Sequence, residues 1–156
     1  VTVRNIMTPR TVMVKADENM TLMDFYKQHQ PLHFSRIPIY ADDSDHITGV
    51  VLKYEILENL VEDRDDVLLK SLSREVLAVL DLLPLPKLFE KMTEERSHIA
   101  IVVDEYGSLV GLVTMEDILE TLLGLEIVDE SDGAVDLQKL ARQKWETRAK
   151  KLGLIE

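Results

Sequence analysis

The clearest pattern of apolar and polar positions lies in residues 97–122, and it predicts strand, turn, strand, helix. Ile99-Ala-Ile-Val-Val103 is an unbroken apolar run rich in β-branched residues, as expected of a strand covered on both faces. Asp104-Glu-Tyr-Gly-Ser108 carries the turn signal, with Gly107 free to take a positive φ. Residues 109–113 read as the return strand. Thr114 then stands as the N-cap of a helix whose Ile118, Leu119 and Leu122 fall at helical spacing.

The pattern occurs once before. Residues 35–60 align with 97–122 at a constant offset of 62 without a gap, and Ile37, Ile39, Gly49, Val51, Ile56, Leu57 and Leu60 recur as identities. Average residue usage would give roughly one or two identities over such a length. Upstream the repeat is weaker. Residues 9–13 sit against 73–77, and Phe25 against Phe89, at an offset of 64, which predicts two extra residues in the first copy before its strand. A unit of about sixty residues is too long for a solenoid repeat and predicts two pseudo-symmetric lobes. The expected division is a first motif over 1–62, a second over 63–125, and an acidic linker with a terminal helix over 126–156.

Within the first copy, residues 11–14 read as a strand. A helix carrying Leu22, Met23, Phe25 and Tyr26 follows, ended by Pro31. The strands at 37–40 and 47–52 flank the polar turn Asp42-Asp-Ser-Asp45, and residues 54–60 close the unit as a helix. A charged connector at 62–66 leads to a strand at 76–80, a break at Pro84 and Pro86, and a helix over 87–93. After Gly124 the register is expected to change. Residues 129–133 read as an exposed linker and 135–152 as a helix. Its stripe of Val135, Leu140, Trp145, Ala149 and Leu152 lies under a basic face that includes Lys139, Arg142 and Lys150.

Composition narrows the class. An apolar fraction of 46% with 30% charged residues is that of a soluble globular protein of 156 residues. No apolar run approaches the ~20 residues of a membrane helix. The chain starts at Val1 without a Met, as a fragment or processed product would. With no cysteine, disulfides and thiol catalysis are excluded. A net charge of −11 argues against nucleic acid and against anionic lipid. The carboxylates Glu126, Asp129, Glu130 and Asp132 lack calcium-loop spacing and are expected to be a solvated linker.

Gly111-Leu-Val-Thr-Met-Glu-Asp117 is where chemistry could reside. Gly111 removes a side chain where a ligand could approach the backbone. Thr114 puts a hydroxyl at a helix mouth whose free N–H groups favour an anion. Asp117, one turn deeper, can accept two hydrogen bonds from vicinal hydroxyls such as those of a ribose. The same Thr-x-x-Asp is close to a capping box, and from these residues alone the cap is the favoured reading. No nucleophile–base signature or phosphate-binding glycine loop is present, and Pro31 lies between His29 and His33, so no enzyme is expected.

A duplicated strand-strand-helix unit ending in Gly-Leu-Val-Thr-Met-Glu-Asp-Ile resembles a CBS-domain pair, or Bateman module. Met7-Thr-Pro-Arg10, Ser35-Arg-Ile-Pro-Ile-Tyr40 and Val103-Asp-Glu-Tyr-Gly107 narrow the resemblance to the CorC/cyclin-M type, haemolysin-like magnesium transport family. It covers residues 1–124. The implied fold is α/β (α+β), two CBS motifs each with a small sheet flanked by helices, plus the terminal helix. The resemblance implies a regulatory adenine-nucleotide site for AMP, ADP or ATP, with magnesium accompanying ATP. Carried over by position, Asp117 would hold the ribose, Thr114 and His98 the phosphates, and residues 8–12, with Thr8 and Val12, the adenine; Ile99 joins this set. The first copy departs from the motif, with Leu52 for Thr114 and Glu55 for Asp117, so one competent site per chain is expected. Lys53 could meet a phosphate there, although a Lys at a helix start ordinarily faces solvent.

The resemblance further implies a homodimer through the CBS helices, with exposed Leu and Met on residues 20–26 and 118–123 at its interface. It implies a membrane domain elsewhere in the full-length chain, on whose cytoplasmic side this soluble portion would lie. The competing expectation is a structural dimerisation module with a degenerate site.

Overall fold

The computed structural model describes residues 1–130 together with Trp145, Glu146 and Lys150. The terminal segment expected at 135–152 lies outside the described residues apart from those three, which are helical. Two sheets form the framework. The first orders β2 (Ala16–Asp17), β3 (Arg36–Tyr40) and β4 (Ile47–Leu52), with β2 parallel and β4 antiparallel to β3. The second orders β1 (Thr8–Pro9), β7 (Leu109–Thr114), β6 (Ile99–Val103) and β5 (Leu77–Leu80). Helices α2 (Leu22–Gln28) and α3 (Lys53–Val61) serve the first lobe. Helices α4 (Leu85–Glu94) and α5 (Met115–Glu130) serve the second.

Each lobe has its own core. Ala16, Leu22, Phe25, Ile37, Ile39, Val51, Ile56 and Leu69 fill the first, and Val79, Leu85, Leu88, Met92, Ala100, Val102, Val113 and Ile118 fill the second together with Val3. Val3 and Leu69 have thus changed sides. The one-turn helix α1 (Val3–Ile6) opens the chain yet packs on the second lobe, where Val3 N–H donates to Leu83 O at 3.0 Å. Arg4 Nε reaches the buried Asp81 carboxylate at 3.0 Å. Conversely, Leu69 N–H donates to Met20 O and Lys70 N–H to Glu18 O, each at 2.9 Å, on the first lobe. The two lobes are cross-laced by their own leading segments.

The pairings revise the internal alignment. Ile39 faces Gly49 while Val102 faces Gly111, and Ala16 pairs with Ile39 as Val79 pairs with Val102. The copies therefore match at an offset of 63 through β3 and β6, and at 62 only from β4 and β7 onward. The one extra residue of the first copy sits in the β3–β4 turn, 41–46 against 104–108, rather than two before the strand. Strands rich in Ile at alternate positions made the one-residue slip easy, and a slip of one reverses the face. Ile37 and Ile39 are core residues, whereas Ile99 and Ile101 belong to the opposite face and lie outside the second core. By the same register Phe25 corresponds to Leu88, both fully buried, and not to Phe89, which is 36% exposed. Phe25→Ala is accordingly expected to cost about 3–5 kcal/mol in urea unfolding. Phe89→Ala should cost less than about 1 kcal/mol.

Three further expectations change. Residues 11–14 are not a strand: Arg10–Val12 is a 3-10 turn, with extended pairing before it in β1 and after it in β2. Val12, Met13 and Val14 line the space between the lobes. Helix α5 does not stop at Gly124 but continues to Glu130, since the residues beyond tolerate helix and an interior glycine costs only about 1 kcal/mol. Pro84 and Pro86 open α4 rather than break the chain, Pro being suited to a first helical turn. Gly107 does take a positive φ, of 80°.

A cleft between the lobes as the candidate site

A cavity of about 410 Å³ opens between the two sheets, and its walls come from both lobes. Thr8, Val12, His98, Ile99, Thr114 and Asp117 all line it. The cross-lacing explains how residues from opposite ends of the chain meet there. Thr8 is carried by β1, opposite Leu112, and Val12 by the turn that follows. Ile99 and Thr114 are register partners on β6 and β7. His98 is held at the start of β6 by its carbonyl, which accepts from Met115 N–H at 3.0 Å.

Thr114 and Asp117 form the capping arrangement. Asp117 Oδ2 accepts from Thr114 N–H at 3.2 Å and from Thr114 Oγ1 at 2.9 Å, while Asp117 N–H donates to Thr114 Oγ1 at 3.3 Å. Cap and ligand roles do not exclude each other. Both bonds to the carboxylate fall on Oδ2, so Oδ1 is the acceptor that a ligand hydroxyl would find. Gly111, by contrast, is not bared for a ligand. A Cβ there would stand 2.3 Å from Thr8 O and 3.0 Å from Met7 Sδ, so what approaches this glycine is the chain's own β1.

Sequence reasoning missed the wall supplied by the first lobe. Ser35, Arg36 and Pro38 line the cavity with Phe34 and His33. A gap-free alignment pairs Arg36 with His98, whereas the observed register pairs it with Ile99. Among the described residues Arg36 enters no ion pair, and it shares the cavity with the N-terminus of α5 and the carboxylates of Glu116 and Asp117. The guanidinium and the helix N-terminus suit an anion, and the carboxylates suit hydroxyls or a cation beside it. The apolar remainder, Val12, Val14, Phe34, Ile99 and Leu112, suits a flat heterocycle.

The pseudo-equivalent position in the first lobe is built differently. Leu52 caps α3 without a side-chain hydrogen bond. Glu55 Oε1 is engaged by Arg74 Nε at 2.9 Å, and this bond holds the Arg74 guanidinium above its ordinary pKa. Lys53 Nζ donates to Leu32 O at 3.1 Å rather than standing free for a phosphate. Among the described residues no three His, Asp or Glu side chains converge as a metal site, and no helix is long and apolar enough to cross a membrane.

Two sheet-and-helix units laced together around such a cleft define a CBS pair, and the family model for the CBS domain matches residues 3–62 and 66–124. The chain belongs to the CBS-domain family, as a tandem pair of the CNNM/CorC type. It is 34% identical over 149 residues to the magnesium and cobalt efflux protein CorC of Escherichia coli K12, covering 94% of this chain and 51% of that protein. It thus spans about half the length of the curated relatives it matches. Among solved structures, it resembles the CBS domain of a bacterial CNNM/CorC family Mg2+ transporter in complex with ATP. That likeness has a TM-score of 0.71 and 35% identity, over 80% of this chain and 88% of that one. A CBS-domain pair with bound AMP from Klebsiella pneumoniae matches with a TM-score of 0.70 and 31% identity, over 79% and 98%.

Proposed function

We propose that this CBS pair is a non-catalytic regulatory module that binds one adenine nucleotide in the cleft of Thr114 and Asp117. The observation that carries this is the convergence on one cavity of an acidic hydroxyl acceptor, a helix N-terminus and Arg36, which enters no ion pair among the described residues. Asp117 holds the ribose, Thr114, His98 and the α5 N-terminus hold the phosphates, and Thr8 and Val12 border the adenine. Relatives with bound ATP and AMP support the ligand class. Magnesium enters with the phosphates of ATP, with Glu116 at the cavity wall to meet it.

The module acts on a membrane-embedded transport domain for magnesium or another divalent cation, carried by the same full-length chain and facing the cytoplasm. Nucleotide binding selects one arrangement of the lobes, and the transport domain responds through differential affinity. Tyr54, Leu57 and Val61 on α3 and Leu119 and Leu123 on α5 remain exposed. They supply the face through which two copies pair. The buried Leu22, Phe25 and Ile118 belong instead to the lobe cores.

Calorimetric titration of AMP and of ATP, with and without magnesium, tests the reading. Saturable heats in the micromolar range are expected, and flat titrations of the folded protein would contradict it. Arg36→Ala should weaken ATP by about tenfold, the order of one charge-assisted hydrogen bond, and adenosine hardly at all.

A further inference from the structure

The only tryptophan of the chain is Trp145, well beyond the second CBS motif. It nevertheless lines the interlobe cavity alongside Thr114, Asp117, Val12 and Phe34, half-buried and helical. We infer that Trp145 forms a wall of the nucleotide cleft, so that filling the cleft and holding the indole in place are one coupled event. This inference rests on the cleft being a nucleotide site.

Space and chemistry favour a wall over a plug. With the indole in place the cavity still measures about 410 Å³, within the roughly 300–1,000 Å³ of small-molecule sites. Tryptophan offers the largest rigid apolar face of any side chain, and a purine presents a complementary one. The CBS pair proper brings Phe34 as the aromatic group of the cavity's other side, but its own second motif brings none. Trp145 supplies it from outside. Coupling is reciprocal: if the indole improves nucleotide binding, nucleotide must hold the indole in place by the same factor.

A single tryptophan makes the test direct. AMP and ATP are titrated into the full chain while heat and tryptophan emission are recorded in parallel. The expected result is an emission change whose midpoint equals the calorimetric one. Trp145→Ala should weaken AMP by roughly five- to tenfold, the order of one aromatic contact with a base, and Trp145→Phe should restore most of it. Heat without any emission change would overturn the wall and leave the nucleotide site standing. Tighter binding by Trp145→Ala would overturn it too, by making the indole a plug. Absence of heat in the folded wild-type chain would remove both the site and its wall.

Discussion

Asp117→Ala is expected to weaken AMP binding by about 100-fold or more while leaving the protein folded. A hydrogen bond to a charged acceptor contributes about 1.5–3 kcal/mol, and a ribose offers two hydroxyls, so their joint loss exceeds two decades in affinity. The substitution also removes the acceptor that Thr114 uses through its N–H and its hydroxyl. Loss of such a cap costs about 0.5–2 kcal/mol, which lowers the melting temperature without unfolding the domain. The two effects separate by measurement. Thr114→Ser keeps a hydroxyl at the cap and should bind AMP within a few-fold of the parent, whereas Asp117→Ala should bind hardly at all. Equal damage from both would reduce Asp117 to a helix cap.

Gly111→Ala is the second large effect, and it acts through β1. The new methyl would sit 2.3 Å from Thr8 O and 3.0 Å from Met7 Sδ. A thioether can swing aside, but a backbone oxygen held in a ladder cannot, so β1 must move away from β7. Forced rearrangement of that kind costs about 1–3 kcal/mol. It also drags Thr8 and Val12 from the cleft, so AMP binding should fall together with stability. Gly107→Ala is the contrast. Gly107 lies at φ +80° with open space around it, so alanine there is strained locally and meets nothing. It should cost about 1 kcal/mol and leave AMP affinity unchanged. Thermal melts paired with AMP titrations of both variants decide whether β1 docking and ligand binding are linked.

Much of the fold could be read from periodicity. Strands β3, β4, β6 and β7 and helices α3 and α5 begin within a residue of where alternation and caps placed them, because local pattern and tertiary burial agree there. What failed was register. Ile37 and Ile99 look equivalent in a string, yet one enters a core and the other a cleft wall, and only the hydrogen-bonded ladder distinguishes them. The apolar run at 12–14 misled for a related reason. Val12, Met13 and Val14 are apolar because they border the cavity, and a cavity wall has no period.

The cleft itself was half legible. Thr114 and Asp117 announce themselves by spacing, and the resemblance to CBS pairs supplied Thr8, Val12, His98 and Ile99. The contribution of Arg36 could not be read without the correct register, and that of Trp145 depends on where a distant segment lies. Nor does a string show that Glu55 is already held by Arg74, an ion pair across nineteen residues that only the exchanged leading segments make.

The most direct test is a crystal structure of this chain grown with AMP. One nucleotide per chain is expected, its ribose hydroxyls on Asp117, its phosphate at Thr114 and the start of α5, and its base against Val12. Nucleotide seated instead between Glu55 and Arg74, or on neither lobe's motif, would contradict that placement.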